Sequence, residues 1–301
     1  MNALATWATW VALALVAFLV GLAAAMAYGR HRWNAGTRRL HDALSAGSTV
    51  LVPERVDFAA LASLPMPVQR YLRRVLVDGA PMVTGVRMRQ RGSMRMSEAA
   101  RAWKPFTSEQ TVVTLRAGFC WSARIAMLPG MTVLVRDAYV AGRGTLRAAL
   151  LGLITVAELG GTEDMAQAEL MRFLAEAVWY PTVLLLGQGI SWSAIDAQHA
   201  RATITDGATR VSLVFSFDDD GLVDGIRADA RGRTVGGITI PTPWSGRFWN
   251  YQQVSSMLLP FNGEVGWVLP EGLQPYWRGE IESVVMTFEA CRVARQMQAA
   301  Q

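Results

Sequence analysis

Side chains able to do chemistry are few in this chain and poorly placed for most reactions. Three histidines and two cysteines leave little for a histidine-built metal centre and exclude an all-cysteine zinc site. No Gly-x-Ser-x-Gly elbow presents a serine nucleophile. His199 follows Asp196 closely, but strand-period geometry does not order the two as a catalytic pair. Gly142-Arg143-Gly144 lacks the third glycine and the strand-turn-helix setting of a dinucleotide loop. Asp218-Asp219-Asp220-Gly221 is acidic, but its spacing suits a hairpin turn better than a calcium loop. Glu158, Glu163, Glu169 and Glu176 are carboxylates that could serve as acid or base, and nothing in the sequence supplies their partner. The sequence therefore predicts no catalytic residue, no metal and no cofactor, and ranks a binding module above an enzyme.

The concentrated feature is aromatic. Trp179-Tyr180, Trp192, Trp244, Trp249, Trp267 and Trp277 crowd the second half of the chain. Such rings either fill a core or wall an apolar cavity between the curved sheet and the inserted helix, with a few polar tips, which suits a lipid or another hydrophobic ligand. On the second reading Arg278, beside Trp277, forks to an anionic head group, Glu264 is a second polar contact, and indole N–H groups are left for the ligand. Two alternatives stand beside it. One is an enzyme using carboxylates in the aromatic-lined cleft; the other is a scaffold whose exposed aromatics dock another membrane protein.

Several strings resemble a bacterial family without assigned activity, domain-of-unknown-function family 6544. They are Trp103-Lys104-Pro105-Phe106, Asp137-Ala138-Tyr139 with Gly142 and Gly144, and Glu169-Leu170 with Arg172. To these are added Leu174 through Thr182, Trp244 with Gly246, Phe248 and Tyr251, and Glu264 with Trp267, Leu269-Pro270, Gly272 and Tyr276-Trp277-Arg278-Gly279. The resemblance implies membership and transfers no reaction. A looser similarity is to the lipoprotein-carrier half-barrels, a curved antiparallel sheet with a helical lid, and this is an analogy of fold alone.

These residues must be held by elements whose signals are plain in places. No charged side chain stands between Met1 and Gly29, and the run is long enough to cross about 30 Å of hydrocarbon. Trp7, Trp10 and Tyr28 stand near its ends, as aromatic belts do. A cleaved signal peptide would carry a positive start and a shorter apolar core, so a retained single-pass anchor is expected. Arg30, Arg32, Arg38 and Arg39 then place the body in the cytoplasm by the positive-inside rule. That side conflicts with the half-barrel analogy, whose carriers are exported. The partners expected are the bilayer and a hydrophobic small molecule or lipid. The net charge of +5 is mild, and no nucleic-acid-binding module is recognisable.

Thr37 to Gly47 reads as a short helix capped by Thr37, and Asp57 as the cap of another. Val68, Tyr71, Leu72 and Val75 mark one face of a helix opened by Pro67. Its Arg70, Arg73 and Arg74 suit either solvent or an anionic membrane surface. From Val83 the period becomes two, as in Val86, Met88 and Gln90 or in Phe119, Trp121, Ala123 and Ile125. Asp206-Gly207 and Asp220-Gly221 read as hairpin turns. One helix interrupts the strands, capped by Asp164 and stopped before Pro181, with Glu169, Arg172 and Glu176 as a surface ladder of ion pairs. Cys120 and Cys291 pair only if their strands adjoin. The expected fold is α+β. An anchor at 1–29 and a helical juxtamembrane segment at 30–82 precede an antiparallel β-rich domain at 83–290, a large curved half-barrel-like sheet with the inserted helix 164–180.

Overall fold

Alternating burial builds most of this chain. The computed structural model describes residues 2–46, 55–96, 102–185 and 189–288. Helix α1 (Asn2–Ala46) and helix α2 (Met66–Val75) lead into six strands: β1 (Gly85–Met94), β2 (Lys104–Val113), β3 (Gly118–Leu128), β4 (Met131–Val140), β5 (Arg143–Leu150) and β6 (Ile154–Gly160). Helix α3 (Glu163–Ala175) follows. Seven more strands complete the body: β7 (Ile190–Ala194), β8 (His199–Asp206), β9 (Thr209–Phe217), β10 (Val223–Val235), β11 (Ile238–Val254), β12 (Met257–Leu269) and β13 (Gly272–Thr287). All thirteen strands form one sheet of antiparallel neighbours, ordered β6-β5-β4-β3-β2-β1-β13-β12-β11-β10-β9-β8-β7. Only the β1–β13 pairing joins the two ends of the chain, and it closes the meander into a single sheet.

Helix α3 touches β3 to β6 on one arm of the sheet and β8 to β10 on the other. A helix can reach both arms only if the sheet curls around it, so α3 lies on the concave face. Directly paired residues share a face, and the register assigns the faces accordingly. Val86, Met88 and Gln90 of β1 turn toward α3 with Phe106, Ser108, Gln110 and Val112 of β2, and Phe119, Trp121, Ala123 and Ile125 of β3 are buried with them. The face predicted for α2 is also buried. Val68, Tyr71, Leu72 and Val75 join the core of the sheet, while Arg70 donates to the Ala197 carbonyl and Arg73 to that of Phe58.

Three local expectations are corrected. No helix begins at Thr37: α1 runs unbroken to Ala46, and the Thr37 hydroxyl donates back to the Trp33 carbonyl. Asp57 makes a local turn, accepting from the Ala59 N–H ahead of a 3-10 turn at Ala60–Ser63. Helix α3 is capped by Thr162, whose Oγ1 accepts from Met165 N at 3.2 Å, with Asp164 inside the first turn. Its last residues, Glu176–Trp179, tighten into a 3-10 turn. Cys120 is a buried free thiol, and Cys291 lies outside the described residues.

Candidate functional site

The aromatic residues singled out from the sequence do not converge on one cavity. Trp179, Tyr180 and Trp244 are buried on the concave side, and each spends its polar tip inside the protein. Trp179 Nε1 donates to the Pro260 carbonyl at 2.9 Å, the Tyr180 hydroxyl to the Phe173 carbonyl at 2.8 Å, and Trp244 Nε1 to the Tyr276 hydroxyl at 3.0 Å. Trp192, half-buried on β7, donates to the Leu184 carbonyl and meets the Phe215 ring edge-on. Trp267 stacks on Tyr276, and Trp277 stacks on Phe106. The expectation of free indole donors is thus corrected for Trp179, Trp192 and Trp244, because core packing satisfies them first. Gly92, Gly279 and Gly263 are directly paired neighbours on β1, β13 and β12. A Cβ on Gly279 would enter the Trp277 ring, and one on Gly263 would meet Phe248 and Trp179. The glycine row is what lets these rings lie flat against the sheet.

Trp249, Glu264 and Arg278 stand on the opposite, convex face. Arg247 pairs with Glu264 and Glu264 with Arg278, while Trp249 pairs with Asn262 across β11 and β12. With Arg91, Pro105, Phe106, Thr107 and Glu280 they line an open cleft of about 750 Å³. Glu264 is only 4% exposed although it faces outward, because two arginines cover it. Arg247 Nε donates to its Oε1 at 3.1 Å, and Arg278 Nε donates to its Oε2. The Arg278 guanidinium also lies over the Trp103 ring at 4.6 Å, and that of Arg247 over Trp249 at 5.5 Å. Arg91 pairs with Glu280 at 3.0 Å. Arg91, Arg247 and Arg278 against Glu264 and Glu280 leave the cleft mildly positive, with Trp249 as a broad apolar wall.

Glu169, Arg172 and Glu176 are not a surface ladder. Glu169 and Glu176 are buried and Arg172 is largely covered where α3 faces β2 to β4, because the curled sheet covers the stripe that an isolated helix would turn to water. Arg172 Nη1 meets Asp137 Oδ2 at 2.5 Å and its Nε meets Glu176 Oε1 at 2.7 Å. Gln110 Nε2 donates to Glu176 Oε2 at 2.5 Å, and the guanidinium lies over the Phe119 and Trp121 rings. Burial alone would lower the Arg172 pKa, but Glu176, Asp137 and Glu169 outweigh it and hold the group above its ordinary value. Burial first, then the Asp137 carboxylate, pushes Glu169 well above the usual carboxylate range. That direction favours the protonated form of Glu169 beside Asp137, and Asp137 Oδ1 and Glu169 Oε2 are buried oxygens without a hydrogen-bond donor. The chemistry of this cluster is structural: its one strong cation is already shared by two carboxylates, and it sits beneath the sheet.

The remaining motifs resolve into turns. His199 Nδ1 lies 2.8 Å from Asp196 Oδ1 in the exposed β7–β8 connection, an ordered pair that the strand-period argument missed. The Gln198 N–H first, then His199, lowers the pKa of Asp196. Asp218 Oδ1 accepts from Leu222 N at 2.7 Å, closing the β9–β10 turn. Among the described residues no group of three or more metal-ligating side chains comes together.

A model of a family of unknown function, DUF6920, matches residues 62–285, and the chain belongs to that family. An uncharacterised family was expected from the strings; its number is 6920, not 6544. No curated protein matches the chain. Among solved structures, a LolA superfamily protein from Nitrosomonas europaea is similar at a TM-score of 0.37 and 8% identity, over 73% of this chain and 92% of that one.

Proposed function

We propose that this protein is a membrane-held binding module for an amphiphilic ligand, with lipids as the ligand class and the convex-face cleft as the site. The carrying observation is the cleft itself: about 750 Å³ of open space against the exposed Trp249 wall, rimmed by Arg91, Arg247 and Arg278. That size lies within the range of small-molecule sites. A guanidinium only partly satisfied by Glu264 keeps donors for an anionic head group, since each arginine carries five N–H groups and Arg278 spends one on that carboxylate. The concave side, by contrast, packs Trp179, Tyr180 and Trp244 as core.

Membrane attachment rests on α1. Its window from Thr6 onward has a mean hydropathy of 2.4, and the apolar part is unburied. Exposed Leu128 and Ile154 stand at the β3–β4 and β5–β6 turns, and Gly29 abuts Leu151 and Leu153 of the latter. These turns face the level at which the helix leaves the hydrocarbon. The arginines at positions 30, 32, 38 and 39 favour the cytoplasmic side.

Native mass spectrometry of the detergent-extracted full chain, followed by organic extraction, tests the ligand. A co-purifying lipid or fatty acid is expected, lost from Trp249→Ala. Arg278→Ala is expected to weaken anionic ligands more than neutral ones. A ligand-free mass, with tryptophan emission unmoved by phospholipid or fatty acid, refutes the proposal. Carbonate extraction tests the anchor, and release of the full chain into the supernatant refutes it.

A further inference from the structure

Helix α1 docks on the convex face of the sheet along one stripe. Gly29, Trp33, Gly36, Leu40 and Leu44 recur at helical spacing and are the residues that turn inward. The two glycines are required by close approach: a Cβ on Gly29 would stand 2.7 Å from Leu153, and one on Gly36 would stand 2.6 Å from Arg136 Nη1. Leu44 and Leu40 seat on Cys120 and Ala138. Between the helix and the sheet this leaves a pocket of about 270 Å³, separate from the cleft and lined by Arg32, Trp33, Gly36, Arg39, Arg136 and Arg147 among others.

The charge of this pocket is lopsided. Arg136 is 9% exposed, yet its hydrogen bonds run to neutral acceptors, the Trp33 carbonyl at 3.0 Å and the Thr37 hydroxyl at 3.1 Å, with the guanidinium over the Trp33 ring at 4.6 Å. Among the described residues no carboxylate pairs with Arg32, Arg39 or Arg136. The one acid engaged here is Glu158, 3.8 Å from Arg147, whose buried Nε has no acceptor. Four arginines thus converge against one carboxylate. A buried guanidinium with spare donors, and a second one with an orphaned N–H, ask for an oxyanion with several acceptor oxygens.

Position identifies its source. The apolar run ends at Gly29, and Arg32 and Gly36 lie about 5 Å and 10 Å further along a helix rising 1.5 Å per residue. Arg32 is thus at the depth of the polar headgroup layer, which adds about 5–8 Å beyond the hydrocarbon on each side, and Gly36 lies just outside it. We infer that the pocket between α1 and strands β4 and β5, lined by Arg32, Trp33, Arg39, Arg136 and Arg147, binds a phosphate group, and that a phospholipid headgroup of the adjoining leaflet supplies it. Such a lipid holds the body at a set angle to the membrane, because its phosphate bridges the helix and the sheet. This pocket shares no residue with the convex-face cleft.

The full chain in dodecyl maltoside is titrated with dihexanoyl phosphatidic acid, dihexanoyl phosphatidylcholine or inorganic phosphate, and binding is read by calorimetry. Wild type is expected to bind phosphatidic acid at least ten-fold tighter than phosphatidylcholine. The double variant Arg32→Gln/Arg39→Gln, changed only at exposed residues, loses at least ten-fold toward phosphatidic acid while melting like wild type. Failure of millimolar inorganic phosphate to compete assigns the phosphate to lipid. Competition by inorganic phosphate at the affinity of the lipid keeps the phosphate site but overturns the lipid source. Equal affinity for the two lipids, or a double variant or folded Arg136→Gln variant that binds phosphatidic acid like wild type, overturns the inference.

Discussion

Replacing Arg172 with methionine removes the cation bonded to both Asp137 and Glu176 while keeping apolar bulk against Phe119 and Trp121. Hydrogen bonds to charged groups contribute about 1.5–3 kcal/mol each, and Arg172 makes two, at 2.5 and 2.7 Å. Removing one partner of a buried ion pair costs roughly 3–5 kcal/mol, because the other charge is left without compensation. A loss of about 4 kcal/mol at pH 7.5 is therefore expected. The deficit is also expected to depend on pH. Without the guanidinium, the buried carboxylates keep protons in the folded variant at pH values where the unfolded chain has released them. The folded state then binds more protons, so stability falls as pH rises and recovers as pH drops. The recovery is at most about 1.4 kcal/mol per pH unit for each carboxylate protonated in the fold, and it ends near pH 4, where the unfolded carboxylates also protonate. Urea unfolding of the full chain in detergent, followed by tryptophan emission from pH 5 to 8, measures this. A loss below about 1 kcal/mol, or a deficit that grows toward acid, refutes the buried-cation account.

Glu169→Gln should be close to neutral near pH 4, where the unfolded chain also keeps the proton. Its raised pKa gives wild type a stability that is complete below the unfolded value near 4.3 and is lost as pH rises through the folded value. The glutamine variant should therefore gain on wild type as pH rises from about 4 toward neutrality, and parallel pH profiles would contradict this. Burial under α1 pushes the Cys120 thiol up to about 12. In a Cys291→Ser background Cys120 should resist maleimide, while Gly36→Leu, by forcing α1 off Arg136, should speed labelling at least ten-fold. Equal labelling rates would show that α1 is not seated there. Gly279→Val should cost about 1–3 kcal/mol by overpacking against Trp277, and an unchanged melting midpoint would remove the glycine row from the packing argument.

Several elements were legible because their signals are local. The apolar run of α1, the buried face of α2 and the alternation along β1 and β3 follow from side-chain period alone. The turns between β8, β9 and β10 are equally local, marked by their Asp-Gly pairs. Strands β2, β11 and β12 carry no such signal, and their residues explain why. The inward positions of β2 include Ser108 and Gln110, which blur the apolar alternation. Strand β11 carries Pro241 and Pro243, and β12 carries Pro260, Gly263 and Gly266, all residues that argue against a strand interior.

What the sequence determined by itself is therefore the set of elements whose burial repeats along the chain: one long apolar helix, an amphipathic helix, and strands that must form an antiparallel sheet. The tertiary structure alone decided which side each functional residue serves. Trp277 and Arg278 are neighbours in the chain yet stand on opposite faces, and register shifts such as that between Val265 and Gly266 decide where parity resets. Arg172 looked like a surface residue because an isolated helix has a polar side facing water, and only a sheet that curls over both flanks of α3 removes it. The arginine pocket likewise joins residues about a hundred positions apart, because α1 returns against the convex face of the sheet. Its charge is invisible in a net of +5, since composition sums charges that only folding brings together.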